Sequence, residues 1–209
     1  IAINPRNANS YSNRGAAKVK SGDYQGAITD YNKAIAINPE YTNAYYNRGA
    51  AKGNLGDYQG AIADFSKAIA INPQHSLAYY NRGNAKNGLG DYQGAIADFN
   101  KTIAINPLYV DPYYKRGSAK HKSKDYQGAI ADYNKAIAIN PQEAKAYYNR
   151  GSSKVKSGDY QGAIADFNKA IAIDPQDDAA YNNRGLAKRQ SGDYQGAIAD
   201  YNKAIAINP

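Results

Sequence analysis

Along residues 58–71 the apolar side chains Tyr58, Ala61, Ile62, Phe65, Ala68 and Ile69 fall at i, i+3, i+4, i+7, i+10 and i+11. That spacing gathers them on one stripe of an α-helix, which the Asn72-Pro73 pair then stops. Residues 42–55 also read as helical, with Gly56 behind them to end the helix and Asp57 to cap the next one. The predicted unit is therefore helix A, a tight turn and helix B. Thr42, Ser76 and Asp178 are the expected N-caps of their helices A, and Asp111-Pro112 supplies a cap followed by a proline in the first turn.

The pattern recurs. Asp-Tyr-Gln-Gly-Ala-Ile begins at Asp23, Asp57, Asp91, Asp125, Asp159 and Asp193, always 34 residues apart, and Pro5, Pro39, Pro73, Pro107, Pro141, Pro175 and Pro209 keep the same step. A fixed period of this length marks a repeat architecture. The chain divides as a single array over 1–209: a tail of a preceding repeat at 1–7, five complete repeats at 8–41, 42–75, 76–109, 110–143 and 144–177, and a shorter one at 178–209. Two short helices cannot hide their apolar stripes alone, so adjacent repeats must stack into an elongated solenoid with a continuous core.

In repeat two, Tyr45, Gly49, Ala61, Phe65, Ala68 and Pro73 occupy the large, small and proline positions, in the order that characterises the tetratricopeptide repeat (TPR) family, which the whole chain resembles. The resemblance implies an all-α fold, a right-handed α-solenoid (superhelix) of stacked antiparallel helix pairs, with one side of helix A facing a concave groove. Its departures are systematic. Where the family usually has Leu and Tyr, this chain has Arg48 and Lys52 and their equivalents throughout.

At about 100° per residue, Tyr45, Arg48, Gly49 and Lys52 share one arc of helix A, its packing face. An arginine there needs a carboxylate, because an unpaired desolvated cation costs several kcal/mol. Asp64 on helix B is the candidate. The repeats pair the same way: Arg14 with Asp30, Arg48 with Asp64, Arg82 with Asp98, Arg116 with Asp132, Arg150 with Asp166 and Arg184 with Asp200. Lys52 is expected to pack its stem and extend its ammonium to water near the end of helix A.

The opposite arc of helix A carries Asn43, Tyr46, Ala50, Gly53 and Asn54, and it is here that the repeats differ most. Gly53, Asn87, His121, Val155 and Arg189 are equivalent positions, as are Ala50, Asn84, Ser118, Ser152 and Leu186. Two features persist along it. Tyr46, Tyr80, Tyr114 and Tyr148 form one ladder. Asn13, Asn47, Asn81, Asn149 and Asn183 form another, interrupted by Lys115. A phenol offers a wide face and a hydroxyl, and an amide can both donate to and accept from a peptide backbone. By resemblance to the family these are the candidate ligand positions, together with Asn84 and His121; hydrogen bonding between neighbouring repeats is the competing use of the same side chains. The family's carboxylate clamp is not reproduced, since Tyr stands at its first Lys position and Lys145 and Asn84 match only in isolation.

Composition narrows the functions. With no cysteine and two histidines, His75 and His121, 46 residues apart, the chain offers no thiol nucleophile and no metal-ligand spacing. Gly-Asp-Tyr-Gln-Gly lacks the Lys-Ser/Thr of a phosphate loop. No enzyme activity, cofactor or metal is expected, and no apolar run is long enough for a membrane span. The net charge of +8 comes mostly from the repeat itself, each unit setting Arg48, Lys52 and Lys67 equivalents against two Asp. Only repeat four is crowded, with Lys115, Arg116, Lys120, His121, Lys122 and Lys124, and there Lys124 replaces the turn glycine. Three readings stand: a scaffold binding an extended peptide or protein segment, an architectural array able to associate head to tail, and, less favoured, an RNA-binding solenoid. The cytoplasm is the default expectation for location.

Overall fold

The computed structural model describes residues 7–209, so most of the tail expected at 1–7 lies outside the described residues. The chain divides into two compact units, Ile1–Pro107 and Leu108–Pro209. The first holds α1 (Ala8–Lys20), α2 (Tyr24–Ile37), α3 (Thr42–Asn54), α4 (Tyr58–Ile71), α5 (Ser76–Gly88) and α6 (Tyr92–Ile105). The second holds α7 (Val110–Lys122), α8 (Tyr126–Ile139), α9 (Ala144–Lys156), α10 (Tyr160–Ile173), α11 (Asp178–Gln190) and α12 (Tyr194–Ile207). No strand occurs among the described residues. Within each unit the helices pair as antiparallel hairpins, odd-numbered helix A against even-numbered helix B, and each helix B also packs on the helix A that follows.

The turn inside each hairpin joins two capping devices. In repeat two the N–H of Asp57 bonds the carbonyl of Lys52 at 2.9 Å and that of Gly56 bonds Gly53 at 3.0 Å, closing α3 in a Schellman motif around Gly56 at φ 81°. Asp57 then accepts from the Gly60 N–H at 2.8 Å as the N-cap of α4. A side chain at Gly60 would collide with that carboxylate, its Cβ falling 2.1 Å from Oδ2. One aspartate thus ends one helix and starts the next, which is why Asp-Tyr-Gln-Gly keeps its form in every repeat.

In repeat four the same bonds form around Lys124, at φ 68°. The turn is retained with a residue that disfavours the left-handed region. Lys124→Gly is expected to stabilise the second unit by about 0.5–1 kcal/mol, read as a higher urea midpoint.

Helices A begin earlier than their sequence predicts. The N-caps are Tyr41, His75, Tyr109 and Asp177, so Thr42, Ser76 and Asp178 become first-turn residues and Asp111 lies within α7. The chain returns to helical geometry directly after the proline turn. His75 and Asp177 accept from the backbone N–H of Ala78 and Ala180 at 3.3 and 3.1 Å.

The core is built from alanines and one aromatic residue per helix B. Ala61, Phe65, Ala68 and Ile69 of α4 are buried, with Tyr31, Phe99, Tyr133 and Phe167 in the aromatic position of other repeats. On α12 the positions covered by a following helix elsewhere lie open: Ile205 is 62% exposed, whereas its equivalent Ile171 is 9% exposed. No helix of the described residues is long and apolar enough to cross a membrane.

Candidate functional site

On the packing face of helix A, each arginine meets its aspartate in two-pronged form. Arg48 Nε and Nη2 donate to Asp64 Oδ2 and Oδ1 at 2.9 and 2.5 Å, and Asp64 is buried. The same geometry joins Arg14 to Asp30, Arg82 to Asp98, Arg116 to Asp132, Arg150 to Asp166 and Arg184 to Asp200. Lys52 departs from the sequence expectation. Its ammonium turns inward onto Asp64 Oδ2 at 2.8 Å, because the hairpin brings the second carboxylate oxygen within its reach. Lys18, Lys86, Lys120, Lys154 and Lys188 do likewise at 2.8–2.9 Å.

Two further contacts place the arginine. Its guanidinium lies over the tyrosine three residues earlier, as Arg48 does over Tyr45 at 5.4 Å. From the preceding helix B, Asn32, Ser66, Asn134 and Asn168 accept from Arg48, Arg82, Arg150 and Arg184. The triad therefore ties two repeats together. Hydrogen bonding from Arg14 holds the Asp30 carboxyl down at about 2 against the opposing push of burial. Burial likewise pushes Asp200 up, and the bonds from Arg184 and Lys188 outweigh it, leaving it below its usual range.

The other arc of helix A holds the two ladders, and the structure merges them. Asn81 Nδ2 donates to Tyr46 OH at 2.9 Å, Asn149 to Tyr114 at 2.9 Å and Asn183 to Tyr148 at 2.7 Å. Each bond links one helix A to the next, the use that competed with ligand holding in the sequence. The rings of Tyr46, Tyr80, Tyr114 and Tyr148 lean on the buried aromatic residue of their own helix B, at 5.8–6.0 Å between centroids. Burial raises the phenol pKa of Tyr46, Tyr114 and Tyr148. Asn149 Nδ2 also donates to the Lys145 carbonyl at 2.8 Å, so what remains for a ligand is the amide oxygen of Asn81, Asn149 and Asn183, the second N–H of Asn81 and Asn183, and the phenol O–H of Tyr46 and Tyr114. Asn13 is exposed and Asn47 half-buried, with Ser12 in the ladder position that a tyrosine holds in later repeats. Lys115 stands over the Tyr114 ring, its ammonium 5.9 Å from the centroid.

Beside the ladders lie two clefts. In the first unit a cavity of about 410 Å³ is bounded by Gly53 and Asn54 of α3, Tyr58 and Phe65 of α4, and Asn81 and Asn84 of α5. In the second unit one of about 200 Å³ is bounded by Ser152, Val155 and Lys156 of α9, Phe167 of α10, and Asn183 and Leu186 of α11, with His121 at its edge. These are the same place in the repeat, three periods apart. His121 donates from Nδ1 to Ser153 Oγ at 2.8 Å, since that hydroxyl spends its own proton on the Asn149 carbonyl. Burial, then the charge of Lys156, lowers the His121 pKa. Neutral His121 therefore keeps Nε2 as an acceptor. The clefts were not foreseen as such; a helical glycine, Gly53, at a position filled by larger side chains in other repeats was the available signal.

Among the described residues no group of His, Cys, Asp and Glu could hold a metal ion. Stacked helical hairpins with a polar face beside open clefts define a repeat scaffold of the kind that mediates protein interactions. Profiles described as TPR repeat and tetratricopeptide repeat match residues 15–56, 116–182, 42–75, 76–109 and 179–209. The chain belongs to the tetratricopeptide repeat family, whose members are typically non-catalytic scaffolds. Among solved structures, MamA is 30% identical over 81% of this chain and 92% of its own, with a TM-score of 0.77. YrrB, reported as a TPR protein with an unusual peptide-binding site, is 24% identical over 86% of this chain and 92% of its own, with a TM-score of 0.75. The type IV pilus biogenesis factor PilW shares the fold at 20% identity, over 95% of this chain and 92% of its own, with a TM-score of 0.79. No curated protein matches the chain.

Proposed function

We propose that the protein is a scaffold that holds an extended segment of a partner protein along the variable arc of its helices A. The observation that carries this reading is the cleft beside the ladder, where Asn81 and Asn84 border an aromatic floor of Tyr58 and Phe65. Amides with spare valences suit a peptide backbone, and a concave, partly apolar recess suits one of its side chains. The charge argues for protein over nucleic acid, because in each repeat one arginine and one lysine are already held by an aspartate.

Selection of a random twelve-residue peptide display library on the immobilised protein tests this. Asn54→Glu with Asn84→Glu, both lining the cleft, is expected to reduce capture at least tenfold while leaving the melting curve unchanged. Undiminished capture by the double variant would sink the reading. So would a cell extract in which nuclease removes everything the protein retains.

A further inference from the structure

The repeats supply their own experiment on the cleft. It is bounded by a helix A, its helix B and the next helix A, and the residue equivalent to Gly53 sits at its mouth. In repeat four that residue is His121. Its ring stands edge-on to Tyr126 at 5.3 Å between centroids and bonds Ser153 on the next helix A. Tyr126 and Ser153 are the equivalents of Tyr58 and Ala85, both of which line the cleft in repeat two. An aromatic ring of the chain itself therefore occupies in the second unit the space that stands open in the first. In repeat five the residue is Val155, and the cleft there is about 200 Å³ against about 410 Å³ at Gly53.

Nothing in the backbone requires glycine at this point. Gly53 lies in the last turn of α3, and a Cβ added to it would meet Ala61 Cβ at 3.9 Å, an ordinary contact. Glycine is a weaker helix former than alanine. The residue weakens its helix and leaves a recess floored by Tyr58 and Phe65 and rimmed by the amides of Asn54, Asn81 and Asn84, with no charged side chain in its wall.

We infer that the Gly53 cleft is a subsite for one uncharged aromatic side chain of the bound segment, seated where His121 seats its own ring in repeat four. This rests on the groove reading and deepens it. The ring packs edge-on to Tyr58, and the flanking backbone meets the amides of Asn81 and Asn84. The position equivalent to Gly53 then sets what each repeat accepts: an open recess at glycine, a half-filled one at valine and a closed one at histidine.

The probes are a blocked pentapeptide with a central tyrosine and its all-alanine counterpart, titrated by NMR while the side-chain amides of Asn54, Asn81 and Asn84 are followed. The tyrosine peptide is expected to shift these resonances in a saturable way, and the alanine peptide to leave them in place. Gly53→His should weaken the tyrosine peptide at least tenfold, and Gly53→Ala less than threefold, with both variants giving the wild-type helical dichroism. Equal shifts from both peptides, no shift from either, or undiminished binding by Gly53→His would each overturn the subsite. The library peptides selected on the wild type separate it from the groove reading. Their retention by Gly53→His overturns the subsite and leaves the groove standing, whereas their loss in Gly53→His but not in Gly53→Ala supports it.

Discussion

Asp64→Ala is expected to destabilise the first unit by about 3–5 kcal/mol. The carboxylate is 3% exposed and receives Arg48 on one oxygen and Lys52 on the other, so its loss strands two cations against the hairpin core. Urea unfolding followed by circular dichroism should show the first unit melting ahead of the second. The cost measures the stranded charges more than the worth of the triad. Replacing the whole set, Arg48→Leu with Lys52→Tyr and Asp64→Ala, should return stability to within about 2 kcal/mol of the starting chain or above it, since apolar groups that pack well commonly match a buried ion pair. A triple variant as unstable as Asp64→Ala alone would mean that the triad fixes the hairpin crossing in a way that apolar packing cannot.

Phe167→Ala is expected to cost about 3–5 kcal/mol in the second unit. Phe167 is fully buried, packs with Ala163 and Ala187, and supports the Tyr148 ring at 5.8 Å. The alanines around it cannot grow to refill the space. Removing the ring also takes the floor from under Tyr148, whose hydroxyl receives Asn183 from the next helix A, so the loss should spread across the boundary between repeats. The array contains the control. Tyr133 occupies the same position in repeat four at 1% exposure, and Phe167→Tyr should accordingly cost less than about 1.5 kcal/mol.

The period and the bounds of helix B were legible in the sequence because cap, stripe and stop all lie within one short segment. For residues 58–71 the two agree residue for residue. The helices A start a residue or two before the sequence expectation because His75 and Asp177 can cap as well as the Ser76 and Asp178 beside them, and only the path of the proline turn chooses. Lys52 differs from its sequence expectation for another reason. A helical wheel gives its arc on α3, but whether it reaches water or Asp64 depends on how closely α4 crosses. The ladders show the same limit. Their residue types and spacing were plain, yet that Tyr46 and Asn81 bond each other depends on the offset between α3 and α5, which no single repeat encodes.

The sameness of the internal steps has a consequence for copy number. Within the first unit, α2 presents to α3 the surface that α4 presents to α5, with Ala34 and Ala68 buried in the one place and Ala44 and Ala78 in the other. Excision of residues 42–75 would set α5 on α2 with those contacts renewed and no new surface to evolve. Repeats can be gained or lost in whole units of sequence, and each such event leaves the stacking unchanged while it lengthens, shortens or reorders the row of helix-A positions offered to a partner.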